Sequence, residues 1–365
     1  MGKFQYCILV ILVIATSCTS QKKMANFEEQ SIQKENKYKS DPTFTGSAPQ
    51  RLIIDSTENI HFSDSILEKK IKAALFLDST QQINIAIADT VKKLVLNAEK
   101  SAKYSEKIKS LDGLQYFKNL KKLYVSFNSI SDLTPLQDLH NLERLMAQNN
   151  QIENIEPLRN LTKLRYLTLY MNNVSDVSPL SNLTNLVDIC LWDNNVSDIS
   201  VFNNLINLKE VNLGRNQIRD ISPLKNCKKL DVIWIPFNPI SNPEILSDFS
   251  ETLRVLSIAG CNIKNIDYLK DCTKMRDLFI FNNQITDISV LHKMTGLKSL
   301  FASNNRISDI KVILHLVKNG AFQDKARYGI PGISIDLKCN PIDFSTEKNK
   351  RIKYYLENNI EMIKF

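Results

Sequence analysis

The sequence predicts an α/β solenoid: stacked short turns with a parallel sheet along a concave side, 3₁₀ or irregular turns on the convex side, and a helical N-terminal cap. Three observations carry this reading. Asparagine recurs at a nearly fixed interval, a short apolar alternation precedes each asparagine, and a helical stripe stands ahead of the first turn. The 365 residues are 43% hydrophobic and 24% charged, an ordinary globular composition that excludes a wholly disordered or collagen-like chain. A net charge of +8 is spread along the chain rather than gathered in one block, so nucleic acid is not an expected partner.

The first 17 residues read as an address. Met1 to Lys3 is a short basic start, and Tyr6 to Ala15 is an apolar run too short to span hydrocarbon. Ala15-Thr16-Ser17-Cys18 resembles the lipobox of bacterial lipoproteins, with Ala15 where Leu is most usual. The resemblance implies a signal peptide over 1–17 and lipid attachment at Cys18. The stretch 18–58 is polar, carries Pro42, Gly46 and Pro49, and reads as a flexible tether.

The repeats carry the fold. Leu120, Leu123, Val125, Asn128 and Ile130 are followed in the same pattern by Leu142, Leu145, Ala147, Asn150 and Ile152. The asparagine position continues through Asn172, Asn194, Asn216 and Asn238, then Cys261, Asn283, Asn305 and Asn340, with spacings of 22 five times, then 23, 22, 22 and 35. This is the leucine-rich-repeat signature. Alternations such as Leu167-Thr168-Leu169 give short strands with one face inward. The asparagine side chain can both donate and accept, so it can satisfy backbone groups that stacking removes from water. Backs such as Asp176-Val177-Ser178-Pro179-Leu180 suit a 3₁₀ turn with Pro at its start.

With these backs and 22-residue units, the chain resembles the internalin branch of leucine-rich-repeat proteins from about residue 60 to 365. The resemblance implies a horseshoe and a helical cap. We expect residues 59–110 to form the N-terminal cap and a degenerate first repeat, 111–343 the repeats, and 344–365 the C-terminal cap. Ser65 and Glu68 have capping-box spacing, predicting a helix from Ser65 to Leu77. Val91, Leu94 and Leu96 read as the degenerate strand.

Catalytic and metal chemistry have no visible constellation. Cys227 and Cys272 occupy leucine positions and read as small buried hydrophobes; Cys190, Cys261 and Cys339 have no zinc-like spacing. His61, His140, His292 and His315 form no cluster in sequence, and no nucleophile has an identifiable base. The chain is read as non-enzymatic, with no cofactor and no metal.

The outward strand positions are more informative. One column holds Tyr124, Met146, Thr168, Cys190, Asn212, Trp234, Ser257, Phe279 and Phe301. A second holds Ser126, Gln148, Tyr170, Trp192, Gly214, Pro236, Ala259, Phe281 and Ser303. A third holds Phe127, Asn149, Met171, Asp193, Arg215, Phe237, Gly260, Asn282 and Asn304. Nine of these 27 positions are aromatic, against 8% for the chain, and alternation points them away from the core. Tyr124, Phe127, Tyr170, Trp192, Trp234, Phe237, Phe279, Phe281 and Phe301 are therefore the candidate ligand-binding residues, expected to be wet. Gly214, Ser257, Ala259 and Gly260 are expected to leave a shallow gap beside the tryptophans. Asp188, Asp193 and Glu210 lie nearby and suit a positively charged feature of a partner.

The sequence expectation is a membrane-tethered recognition protein, monomeric, that binds another protein through this concave face. The alternative is a glycan-binding surface lipoprotein whose rings stack on sugars. The expected location is the bacterial cell envelope. Thr19, where Asp would mark inner-membrane retention in lipoproteins of two-membraned bacteria, directs the expectation to the outer membrane.

Overall fold

The computed structural model describes residues 58–323, 334–360 and 363–365; residues 1–57, which hold the signal segment, Cys18 and all but the last residue of the tether, lie outside the described residues. Twelve strands among the described residues form one parallel sheet in sequence order. They are β1 (Lys93–Val95), β2 (Lys122–Tyr124), β3 (Arg144–Met146), β4 (Tyr166–Thr168), β5 (Asp188–Cys190), β6 (Glu210–Asn212), β7 (Val232–Trp234), β8 (Val255–Ser257), β9 (Asp277–Phe279), β10 (Ser299–Phe301), β11 (Ile335–Asp336) and β12 (Ile363–Lys364). The register is in step throughout: Leu123 pairs with Leu145, Leu145 with Leu167, and Leu167 with Ile189, so equivalent residues of successive repeats stack.

The inward leucine column, including Leu123, Leu145, Leu167 and Ile189, belongs to one continuous core running from Ile60 to Ile360. Each such side chain contributes about 1.5–3 kcal/mol by burial. The convex side is a series of 3₁₀ turns, several opening with Pro near their first position, as at Pro135, Pro157, Pro179 and Pro223. The recurrent aspartate of these backs starts the turn: Asp176, Asp198 and Asp220 each accept the backbone N–H two residues on, at 2.8 Å.

The asparagine ladder ties repeat to repeat. Asn194 Nδ2 donates to Leu191 O of its own turn at 3.0 Å and to Leu169 O of the preceding one at 2.9 Å, while Oδ1 accepts Val174 N at 2.9 Å. Asn150, Asn172, Asn216 and Asn238 repeat this pattern. Cys261 keeps only the donating half, its thiol lying 3.3 Å from Ile235 O. Having no acceptor there, Ile240 N turns to Asn238 O at 2.9 Å. This is the unit of 23 residues, and its back is the longer 3₁₀ stretch Pro243–Phe249.

The N-terminal end is closed by α1 (Ser65–Ala74), which buries Leu67 and Ile71. The helix is shorter than the Ser65 to Leu77 expected, and its cap is Asp64 rather than Ser65. Asp64 Oδ1 takes Ile66 N and Leu67 N, while Oδ2 reaches Lys109 N and Ser110 N in the polar stretch from Lys100 to Ser110 that follows β1. One carboxylate thus caps the helix and pins a loop more than forty residues away. A short α2 (Ile85–Thr90), not anticipated from sequence, precedes β1.

At the other end, α3 (Lys311–Lys318) replaces the 3₁₀ back and packs against α4 (Glu347–Asn359). α4 buries Ile352 and Leu356 over the last turns. β12 adds a strand beyond Ile335 that the repeat pattern did not announce.

Candidate functional site

The third outward column explains itself by backbone geometry. Phe127, Asn149, Met171, Asp193, Arg215, Phe237, Gly260, Asn282 and Asn304 all have φ between +53° and +66°. The chain must leave the strand through a left-handed residue before the ladder asparagine can turn inward. Asn and Gly tolerate this, whereas Met171, Arg215 and the two phenylalanines carry strain.

The expected orientation of the aromatic columns agrees with the packing, because the rings lie in two clusters separate from the core. One contains Tyr170, Cys190 and Trp192; the other contains Val232, Trp234, Val255, Ala259, Phe279, Phe281 and Phe301. Phe237 packs against both. Tyr124 and Phe127 belong to neither cluster, and the ring of Phe127 lies under the Lys100 ammonium at 5.4 Å.

Seven of the nine rings are not wet, contrary to the sequence expectation: Trp192 and Trp234 are 5% and 6% exposed, Tyr124, Tyr170, Phe279, Phe281 and Phe301 are likewise buried, and Phe127 and Phe237 are half-buried. Trp234 on β7 meets Phe279 on β9 at 5.0 Å between centroids, and Phe279 stacks on Phe301 at 5.1 Å and 11°. The strand between them, β8, offers only Ser257 at this position, and the rings lean across it.

The expected gap is likewise filled. A Cβ on Gly214 would lie 2.3 Å from Trp192 Cζ3, and one on Gly260 would lie 2.4 Å from Phe237 Cδ1, so each ring rests directly on a glycine backbone. Small residues here are seats for rings rather than open space.

A fourth outward row, two residues before the first column, went unaligned in the sequence: Lys122, Arg144, Tyr166, Asp188, Glu210, Val232, Val255, Asp277 and Ser299. The period-two alternation that placed the other columns also specifies this one. Here the Arg144 guanidinium lies 3.8 Å from the Tyr166 ring centroid. Burial pushes the Asp188 carboxyl up to about 6, opposed by Arg144. Burial, with Asp188 facing it, pushes Glu210 up to about 8. Glu210 Oε1 is closed to solvent and has no hydrogen-bond partner, as is also true of Gln148 Oε1. Asp277 is raised by burial and accepts a 2.6 Å hydrogen bond from Ser299 Oγ. Asp193, the third acid singled out, is engaged by Arg215 at 3.0 Å.

The cysteines Cys190, Cys227, Cys261, Cys272 and Cys339 are free thiols. Cys227 and Cys272 sit in the core, and burial pushes both thiols up to about 11. The histidines, scattered in sequence, are partly gathered by the fold: His292 and His315 line one shallow convex cleft of about 570 Å³ with Asp267 and Ser289. Among the described residues no group of three His, Cys, Asp or Glu is placed to hold a metal ion. No helix among them is long and apolar enough to cross a membrane.

Comparison with known proteins agrees with this geometry. The family profile for leucine-rich repeats (two copies) matches residues 118–160, 140–182, 184–226, 251–293 and 274–315, leaving out most of the irregular unit that ends at Cys261. No curated protein matches the chain. Among solved structures, an internalin (inlF) from Listeria monocytogenes is 29% identical, with a TM-score of 0.59 over 83% of this chain and 96% of that one. Internalin C2 from the same organism is 25% identical, with a TM-score of 0.50 over 65% and 92% of the two chains. A leucine-rich-repeat protein from Leptospira interrogans shares the fold at 20% identity, with a TM-score of 0.53 over 74% and 75%. The chain carries leucine-rich repeats and folds as an open solenoid of internalin-like architecture.

Proposed function

We propose that this chain is a non-catalytic recognition protein, held at a bacterial outer membrane by a lipid on Cys18, that binds a protein partner through the concave face. Leucine-rich-repeat solenoids are commonly protein-interaction modules, and no enzymatic family is indicated. The observation that carries the reading is the pair of ring clusters on the concave side, separate from the core. A solenoid needs its inward leucines to stay folded, whereas Trp192, Trp234, Phe279, Phe281 and Phe301 sit on the opposite side of the sheet. Rings already ordered against each other lose little further entropy when a partner covers them. Twelve strands at about 4.8 Å offer a face roughly 53 Å long, a scale suited to a macromolecule.

The test is capture of envelope or host proteins by the immobilised chain, compared with Trp192→Ala, Trp234→Ala and the control Ile206→Ala, whose side chain is exposed in the loop between the 3₁₀ back and β6. Specific capture is expected to be lost in the tryptophan variants and kept in the control. Equal capture by all of them refutes the concave face as the site. For the anchor, Cys18→Ser is expected to release the protein from membranes, and retention there refutes lipidation.

A further inference from the structure

Asp188 on β5 and Glu210 on β6 are direct register partners, so their side chains leave the same face of the sheet about 4.8 Å apart. Their surroundings are unequal. Asp188 has Tyr166 on its other flank and feels the positive charge of Arg144 beyond it. Glu210 has the acid Asp188 on one side and the apolar Val232 on the other. Its Oε1 is shut away from solvent with nothing to bond to. The arginines that form ion pairs along this sheet, Arg215 with Asp193 and Arg254 with Asp231, serve other acids.

Ionising Glu210 beside a second acid and a valine is costly for folding alone, because, unlike Asp188 with Arg144 near it, Glu210 has no counter-charge to offset its desolvation or the repulsion from Asp188. The same arrangement complements a cation brought in from outside. Neighbouring Tyr166 already holds a guanidinium against its ring, that of Arg144. The planar fork of a guanidinium can meet two carboxylates with separate N–H edges.

We propose that Asp188 and Glu210 together anchor one arginine side chain of the protein partner. This rests on the concave-face reading above and names the chemistry the face selects.

The test uses the full chain and N-acetyl-arginine amide as probe, with N-acetyl-citrulline amide as its neutral near-isostere, titrated calorimetrically. The arginine probe is expected to bind in the millimolar range and the citrulline probe at least tenfold more weakly. Asp188→Asn and Glu210→Gln are each expected to weaken the arginine probe at least tenfold, while the exposed control Ile206→Ala shifts it less than threefold. Equal binding of the two probes overturns the proposal without any variant. So does displacement of the arginine probe by millimolar calcium chloride, which would make the pair a metal site.

The two readings fail separately. Unchanged probe binding in Glu210→Gln, with partner capture still lost in the tryptophan variants, removes the arginine anchor alone. Probe binding that needs both acids, with capture unaffected by the tryptophan variants, keeps the anchor and removes the ring face as the binding surface.

Discussion

Replacing Asn194 by Ala tests the ladder at the centre of the array. The side chain makes three firm contacts, to Leu169 O, Leu191 O and Val174 N. The two carbonyls are not orphaned by its loss, because Leu169 O still accepts from Asn172 and Leu191 O from Asn216. Val174 N is left with no acceptor in a buried turn. An unsatisfied buried N–H costs about 1–3 kcal/mol, and two weakened carbonyls add about 1 kcal/mol together, so the expected loss is about 2–4 kcal/mol. Cys261 shows how the chain tolerates half of this defect: a thiol supplies the donor, and the orphan N–H rebonds within its own turn. Asn194→Cys is therefore expected to fall between wild type and Asn194→Ala. Urea unfolding followed by circular dichroism measures all three. Because each repeat touches only its neighbours, the Ala variant is also expected to broaden the transition as the two halves uncouple. An unfolding free energy within about 0.5 kcal/mol of wild type for Asn194→Ala refutes the ladder argument.

Gly214→Ala is expected to push the Trp192 ring off its seat, changing tryptophan fluorescence and costing about 1–3 kcal/mol; an unchanged spectrum and melting temperature would contradict the seating geometry. Met171→Asn, at an exposed left-handed position, is expected to gain about 0.5–1 kcal/mol in denaturant unfolding, and a loss would show that the Met side chain does more than tolerate its backbone. Glu210→Gln tests the acid pair through pH. With Glu210 raised to about 8 and Asp188 to about 6, the folded state holds protons that the unfolded chain has released, so these groups lower stability as pH rises from about 4 to 8. The variant's advantage in melting temperature over wild type is therefore expected to be larger at pH 8.5 than at pH 5, and an equal advantage at both would remove the pair's electrostatic strain.

The near-burial of the rings changes how their variants are read. From sequence, outward tryptophans should be removable for under about 1 kcal/mol. Trp234 is instead 6% exposed and shares a tilted contact with Phe279, which itself stacks on Phe301, so its truncation is expected to cost about 3–5 kcal/mol without bearing on whether it binds a partner. Capture and stability must be measured separately on each variant.

The sequence by itself determined the period, the strand positions, the ladder and the side of the sheet each column faces. These depend on contacts within one repeat or between equivalent positions of the next, and a 22-residue period writes them directly into the chain. Tertiary structure decided what the outward side chains touch. Whether Trp234 is solvated depends on a serine 23 residues later being small enough for the ring to lean across, and whether Gly214 is a gap depends on where the ring of Trp192 comes to rest. The same holds for Asp64 reaching Lys109, for His292 meeting His315 in one cleft, and for Glu210 standing between an acid and a valine. Each is a choice of rotamer and neighbour across the stack, which no periodicity along the chain encodes.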